Sequence, residues 1–283
     1  MVDTSKGLEL APRAFSSGRA KREIVMRLHS GPASPVRRWS VALALCAALL
    51  AAAPGSHAAT FFVTSYWQSN DVPNDFPDFN PGDGVAETTP GSGIASLRTC
   101  IEEANEHEGP DTIVILPPCV TPPVNEFFIR PTTPLPPLND PTGPTTIIFM
   151  RPNCEPCPPA SGQGPCWPTV IIDGDMLAED TGASGLRLHS TGNILDGLNI
   201  QAFPGNGVLV EDVSLPDSAP GARARDNVVR NSSIEGNVLN GILIRAGAQG
   251  TIVEDNVIAN NGGGGDPVHS HGVHIAGVGT ESN

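Results

Sequence analysis

Gly185-Leu186-Arg187-Leu188, Gly207-Val208-Leu209-Val210, Gly241-Ile242-Leu243-Ile244 and Gly272-Val273-His274-Ile275 share one form, Gly-φ-x-φ, where φ is apolar. Their starts lie 22, 34 and 31 residues apart. Between them runs a second apolar element: Ile194 to Ile200, Val228 to Ile234, and Ile252 to Ile258. The first two of these end seven residues before the next Gly. The longer spacings are then a unit of about 22 residues plus two insertions, one within 211–225 and one within 262–271.

A coil of this length, built from short β elements and Gly/Asn turns, is the signature of a right-handed parallel β-helix, an all-β solenoid. Alternate apolar side chains point into the shaft, and each coil stacks on its neighbour about 4.8 Å away. Asn256 sits where an inward Asn bonds the adjacent turns, with Ser232 and Leu198 in the same slot of the two preceding coils. That series predicts no continuous Asn ladder there.

Composition agrees. Among 283 residues, 31 Gly and 29 Pro without a Gly-X-Y period imply many turns and few long helices. The net charge of −14 is unevenly placed: residues 1–58 hold 8 of the 16 basic side chains and 3 acids, and the rest has 8 Arg, 27 Asp/Glu and no Lys. So acidic a region repels phosphate backbones and anionic lipid, which excludes nucleic acid as a partner and favours divalent cations.

The basic start has the layout of a secretory signal peptide. Arg37-Arg38 precede an apolar run from Val41 to Ala53, too short to span a bilayer, and Ser56-His57-Ala58 fits a small-x-small cleavage pattern. Residues 1–58 are therefore read as a leader, with the mature chain starting near Ala59, no integral membrane segment in it, and a secreted or cell-surface location. Met26 offers a more ordinary translation start, and the Arg pair also permits a twin-arginine export route.

In the mature chain Thr60–Ser65 alternates as a strand, and the loop 70–84 gathers Asp71, Asp75, Asp78 and Asp83, a calcium candidate by carboxylate density although its spacing is not that of an EF-hand. A helix is predicted from Leu97 to about His107, capped by Ser96, with Leu97, Cys100, Ile101 and Ala104 on one face and Gly109-Pro110 as the stop. Asp111–Leu116 follows as a buried strand, so the helix is placed as a cover over the open end of the sheet. Further β islands are read at Phe127–Ile129, Thr145–Met150 and Thr169–Gly174. Residues 117–184 form Pro- and Cys-rich early coils, and 185–283 the regular repeats. The last coil ends without a cap, from which the chain is expected to be part of a longer gene product.

The segment Phe79-Asn80-Pro81-Gly82-Asp83-Gly84-Val85, with Ala95-Ser96-Leu97-Arg98, Ile101-Glu102-Glu103-Ala104-Asn105 and Gly109-Pro110-Asp111-Thr112-Ile113, resembles the N-terminal domain of the CSLREA family of exported bacterial β-helix proteins. The match covers residues 59–116. The later repeats are similar to the generic pectin-lyase-like β-helix coil. The resemblance implies export, a capped β-helix and a surface role. Where that family carries a pair of Cys, this chain has Ala86 and Ala95, and a replacement bridge between Cys100 and Cys119 is the corresponding expectation. Cys154, Cys157 and Cys166 read as a loop-stapling disulfide set, or as three zinc ligands.

β-Helices host polysaccharide lyases and hydrolases, so the chemistry is weighed residue by residue. His271-Gly272-Val273-His274-Ile275-Ala276-Gly277 resembles a segment of polygalacturonases, in which preceding coils supply catalytic Asp; here those positions are Asn206 and Asn240, which cannot exchange a proton at neutral pH. Arg187 and Arg245, read as outward on one sheet in different coils with Glu211 and Asp212 near the strand between them, are the polysaccharide-site candidates, together with His271. Asp266, His269 and His271, with His274, form a second metal candidate. The only aromatic after residue 184 is Phe203, which argues against sugar stacking on these coils. The expected function is that of an exported, non-catalytic scaffold or adhesin-like binder meeting polysaccharide or a surface partner. The alternative is a carbohydrate-active enzyme, lyase or hydrolase, with its site on the inserted loops or on further coils.

Overall fold

Among the described residues every strand pairing is parallel. The computed structural model describes residues 57–66, 75–117, 126–151, 169–213, 224–263, 271–277 and 280, all within the compact unit Gly55–Asn283. In chain order these hold β1 (Ala59–Val63), helix α1 (Leu97–Glu106), β2 (Asp111–Ile115), β3 (Glu126–Ile129), β4 (Thr145–Phe149), β5 (Thr169–Asp173), β6 (Leu186–Leu188) and β7 (Ile194–Asp196). There follow β8 (Asn199–Gln201), β9 (Val208–Glu211), β10 (Val228–Arg230), β11 (Ser233–Glu235), β12 (Ile242–Arg245), β13 (Ile252–Glu254), β14 (Val257–Ala259) and β15 (Val273–Ala276).

The strands sort into three sheets. The first has the order β1-β2-β4-β7-β10-β13, the second β3-β5-β8-β11-β14 and the third β6-β9-β12-β15, with Leu138 bridging Leu188 at the edge of the third. From β2 onward the chain visits the first, second and third sheets in turn and then returns to the first, one rung along. Such an arrangement is compatible with a β-helix-like solenoid.

The turns explain how short strands suffice. What reads in sequence as one apolar element, Ile194 to Ile200, is two strands of different sheets, because Gly197 and its counterparts Asn231 and Asp255 take positive φ and turn the chain between them. The residue after each turns inward and bonds to the next rung: the Leu198 N–H donates to Ser232 Oγ at 3.1 Å, and the Ser232 N–H to Asn256 Oδ1 at 2.9 Å. As expected, this slot is stepped and not a run of Asn. True Asn ladders stand at the other corners. Asn193 donates its backbone N–H and its side-chain amide to Asn227 Oδ1 at 2.9 and 3.0 Å, and Asn237 does the same to Asn261 Oδ1 at 3.0 and 2.8 Å. Their steps are 34 and 24 residues, and the difference is the insertion between β9 and β10. The second insertion falls between β14 and β15, as the spacing predicts.

The core is the file of inward side chains, among them Ile113, Ile147, Leu195 and Val229 of the first sheet and Leu186, Val208 and Ile242 of the third, all buried. Helix α1 starts where expected, with Ser96 Oγ accepting from the Thr99 N–H at 3.1 Å, and ends at Glu106 with His107 as its cap. Its Leu97, Cys100, Ile101 and Ala104 join the core beside β1 and β2. Cys100 is a free buried thiol, pushed up to about 12 by burial. Cys119, Cys154, Cys157 and Cys166 lie outside the described residues. Among the described residues no helix is long and apolar enough to cross a membrane.

Candidate functional site

Alternation decides which side chains a sheet presents to its surroundings. On the third sheet Leu186, Leu188, Val208, Val210, Ile242 and Ile244 point inward, so Arg187, Leu209, Leu243 and His274 form one outward column. His189, Glu211 and Arg245 form the next. Arg187 and Arg245 therefore share a face but not a column: Arg245 lies opposite Glu211 and Ala276, because it follows the Gly-φ-x-φ unit and does not occupy its x position.

Glu211 joins three rungs. Its Oε2 accepts from Arg245 Nε at 2.8 Å, and its Oε1 lies 3.3 Å from His189 Nε2. The contact with His189, and then the Arg245 guanidinium, hold the Glu211 carboxyl at about 2 against the opposing effect of burial. A carboxyl depressed in the folded state stabilises fully above its unfolded value, near 4.3, and the contribution is lost as pH falls towards 2. Arg245 is half exposed, so screening limits the effect: Glu211→Gln is expected to lower stability by about 1 kcal/mol at neutral pH and by nothing near pH 2, read from urea midpoints. His189 was not singled out in sequence, although it occupies the same place after its repeat as Glu211 and Arg245 do after theirs. Arg187 donates to the Leu135 carbonyl, and its Nε has no partner among the described residues.

His271 and His274 stack edge to face at 4.9 Å, and the His271 N–H donates to Asn240 Oδ1 at 3.1 Å. Asn240 in turn donates to Asn206 Oδ1, and Asn206 to Ser184 Oγ. The two positions at which the polygalacturonase resemblance would require Asp thus carry buried rungs of a ladder. Asp266 and His269 lie outside the described residues.

The acidic loop is tied to helix α1. Asp75 forms a two-pronged pair with Arg98 at 2.9 Å on both arms. Asp83 accepts from the Val85 N–H and the Asn80 amide, and buried Asp78 accepts weakly from the Asn80 and Glu87 N–H groups. Sequence reading overlooked Glu102 and Glu103, which hold the loop from the helix side. Glu102 accepts from the Asp78 N–H at 2.6 Å, and Glu103 accepts from Gly82 at 2.6 Å and from Gly84. Asp71 lies outside the described residues, and among those described no three His, Cys, Asp or Glu are grouped to hold a metal ion.

Burial raises the carboxyls of Glu102, Glu103, Asp111, Asp140 and Asp173, with Asp175 adding to the effect on Asp173. Each binds its proton more tightly folded than unfolded, so the native state holds more protons between neutrality and the ordinary carboxylate range, and stability rises as pH falls through that window. The net charge of −14 acts in the same direction. The thermal midpoint is expected to be higher at about pH 5 than at about pH 8, and the reverse order would contradict these burial effects.

The second sheet carries a groove on its outer face. Phe128, Ile171, Asn199, Ser233 and Val257 form one outward column; Asp173, Gln201, Glu235 and Ala259 form the other. Between them lies a shallow groove of about 190 Å³ lined by Thr169, Ile171, Asn199, Gln201, Ser233 and Glu235. Ser233 Oγ donates to Glu235 Oε1 at 2.5 Å, and Asn199 Nδ2 donates to the Val170 carbonyl at 3.3 Å. At the β3 end, Arg130 Nε lies 3.1 Å from Asp173 Oδ2, and its guanidinium stacks 4.3 Å from the Phe128 ring centre. Phe203 is fully buried and faces no groove.

The fold and its faces define an all-β protein of stacked parallel strands with two polar outer surfaces. No family model, curated protein or solved structure matches the chain.

Proposed function

We propose that the chain is an exported right-handed parallel β-helix of the CSLREA type that acts as a non-catalytic extracellular or cell-surface binder of neutral polysaccharide. The observation that carries the reading is the groove on the second sheet: the two amides of β8, Asn199 and Gln201, stand beside the hydroxyl and carboxylate of β11, Ser233 and Glu235, at one strand spacing, about 4.8 Å, and an extended glycan advances by roughly one such spacing per sugar. Recognition there rests on hydrogen bonds and on Ile171, without an aromatic platform in the groove. The acidity of residues 59–283 favours an uncharged chain over a uronate polymer.

Charged side chains elsewhere on the outer faces serve the stack. Arg230 pairs with Asp196 at 2.9 Å and Arg245 with Glu211, each across one rung. A carbohydrate-active enzyme acting at the third sheet is the second reading, favoured by the unpartnered Arg187 Nε beside Glu211.

Calorimetric titration of the exported protein with cello-, xylo-, manno- and malto-hexaose tests both. Binding of one neutral hexaose, weakened roughly tenfold by Glu235→Gln and by Gln201→Ala but not by Arg245→Ala, supports the binder. Release of reducing ends or unsaturated products from polygalacturonate, abolished by Arg187→Ala, would replace it with the enzyme.

A further inference from the structure

The geometry points to a processing site at the Ala58–Ala59 bond, whose cleavage creates an α-ammonium group that pairs with the buried carboxylate of Asp111 and fastens the first strand of the first sheet. The inference rests on the export reading above. Ala59 opens β1 and lies directly opposite Asp111 of β2. Its backbone nitrogen already stands 3.0 Å from Asp111 Oδ1. The Asp111 side chain is wholly buried, and its second oxygen, Oδ2, has no hydrogen-bond partner among the described residues. A peptide N–H offers that carboxylate one proton, whereas an ammonium at the same atom offers three and a full positive charge.

The surroundings suit a cation. His107 Nδ1 lies 2.9 Å from Asp111 Oδ1, and Asp140, which accepts from Thr142, adds a second nearby acid. An acid whose one ionic partner among the described residues is a histidine, and which lies beside another acid, is an under-neutralised buried site. His57 and Ala58 are exposed and outside any strand, so the bond to be cut is accessible while Ala59 is already half-buried. The residues before the bond, Ser56-His57-Ala58, have the small-x-small form that leader peptidases accept. Hydrolysis adds one water: the new carboxylate leaves with the leader, and the amine, protonated at neutral pH, remains on Ala59.

The sequence supplies an unusually clean assay, because the only lysines are Lys6 and Lys21. Residues 59–283, freed at Ala59, carry a single primary amine. The full-length chain would be expressed in a bacterial host, the exported form collected, its start read by intact mass, and its amine titrated with an acetylating reagent in native buffer and in urea. The expected result is a start at Ala59 and an amine that reacts at least about tenfold more slowly in the native protein than in the unfolded one. Asp111→Asn should bring native labelling close to the unfolded rate. For the wild type, acetylation in urea followed by refolding should lower the thermal midpoint.

A leader removed at any other bond, or equal labelling rates in the folded and unfolded wild type, would overturn the processing site while leaving export intact. Retention of the leader on a chain held in the cytoplasm would overturn export itself. The comparison of native with urea-unfolded wild type does not depend on the variant folding.

Discussion

Asp75→Ala is expected to destabilise the protein by about 3–5 kcal/mol, the loss typical when one partner of a buried ion pair is removed. The Arg98 guanidinium meets Asp75 with two parallel bonds of 2.9 Å, and both side chains are about nine-tenths shielded from water. Arg98 also donates to the Thr133 and Pro134 carbonyls, and Asp75 accepts from the Thr132 N–H. The pair therefore ties three segments together: the acidic loop, helix α1 and the stretch leading to the Leu138 rung. Without Asp75 the guanidinium stays buried with carbonyls but no counter-charge. Urea midpoints measured with calcium and with a chelator should show the same loss, because the carboxylate acts through Arg98. A loss below about 1 kcal/mol would mean that the pair is screened as a surface bridge is. A loss present only with calcium would return Asp75 to the role of metal ligand that the acidity of its loop suggested.

Gly241→Val should be nearly as damaging, at about 3 kcal/mol or more, for a reason of space and not of charge. A Cβ at Gly241 would fall on Ile258 Cγ2 and lie 2.7 Å from the Gly272 carbonyl oxygen, and one at Gly207 would meet Ile234 Cγ2 and the Gly241 carbonyl in the same way. Neither glycine has positive φ, so the restriction is the close passage of the chain over the neighbouring strand and not a backbone conformation. Gly272 is the internal comparison: its nearest neighbour would be Ile258 Cγ2 at 3.6 Å, an ordinary contact. Gly272→Ala should be tolerated while Gly241→Ala costs about 1–3 kcal/mol, and similar midpoints for the two would refute the packing account.

That contrast also shows why the architecture was legible. At Gly185, Gly207 and Gly241 the Gly-φ-x-φ pattern marks a place where the chain passes so close to its neighbour that only Gly fits, and its alternation gives the inward face directly. Ser96 and Gly109-Pro110 bounded the helix for equally local reasons. What could not be read depends on partners remote in sequence. The Asn193–Asn227 and Asn237–Asn261 ladders were hidden because unequal circuits, 34 and 24 residues, put equivalent residues out of phase along the chain. The Leu138 rung is a single bridge and leaves no periodic trace. The groove of the second sheet was invisible because Asn199, Gln201, Ser233 and Glu235 are ordinary polar residues until three strands bring them side by side. Asp75 was seen as one of several acids, and the Arg98 that claims it lies 23 residues away.

The two unequal circuits have a further consequence. One return of the chain takes ten residues more than the next, yet the ladders on either side close with the same bonds. Enlarging a corner between Glu211 and Val228 therefore changes the closure entropy by only about 0.6 kcal/mol for each doubling of length. Heritable variation in the length of chain between those residues can accumulate without disturbing the frame. The same corner is the place to graft a foreign epitope.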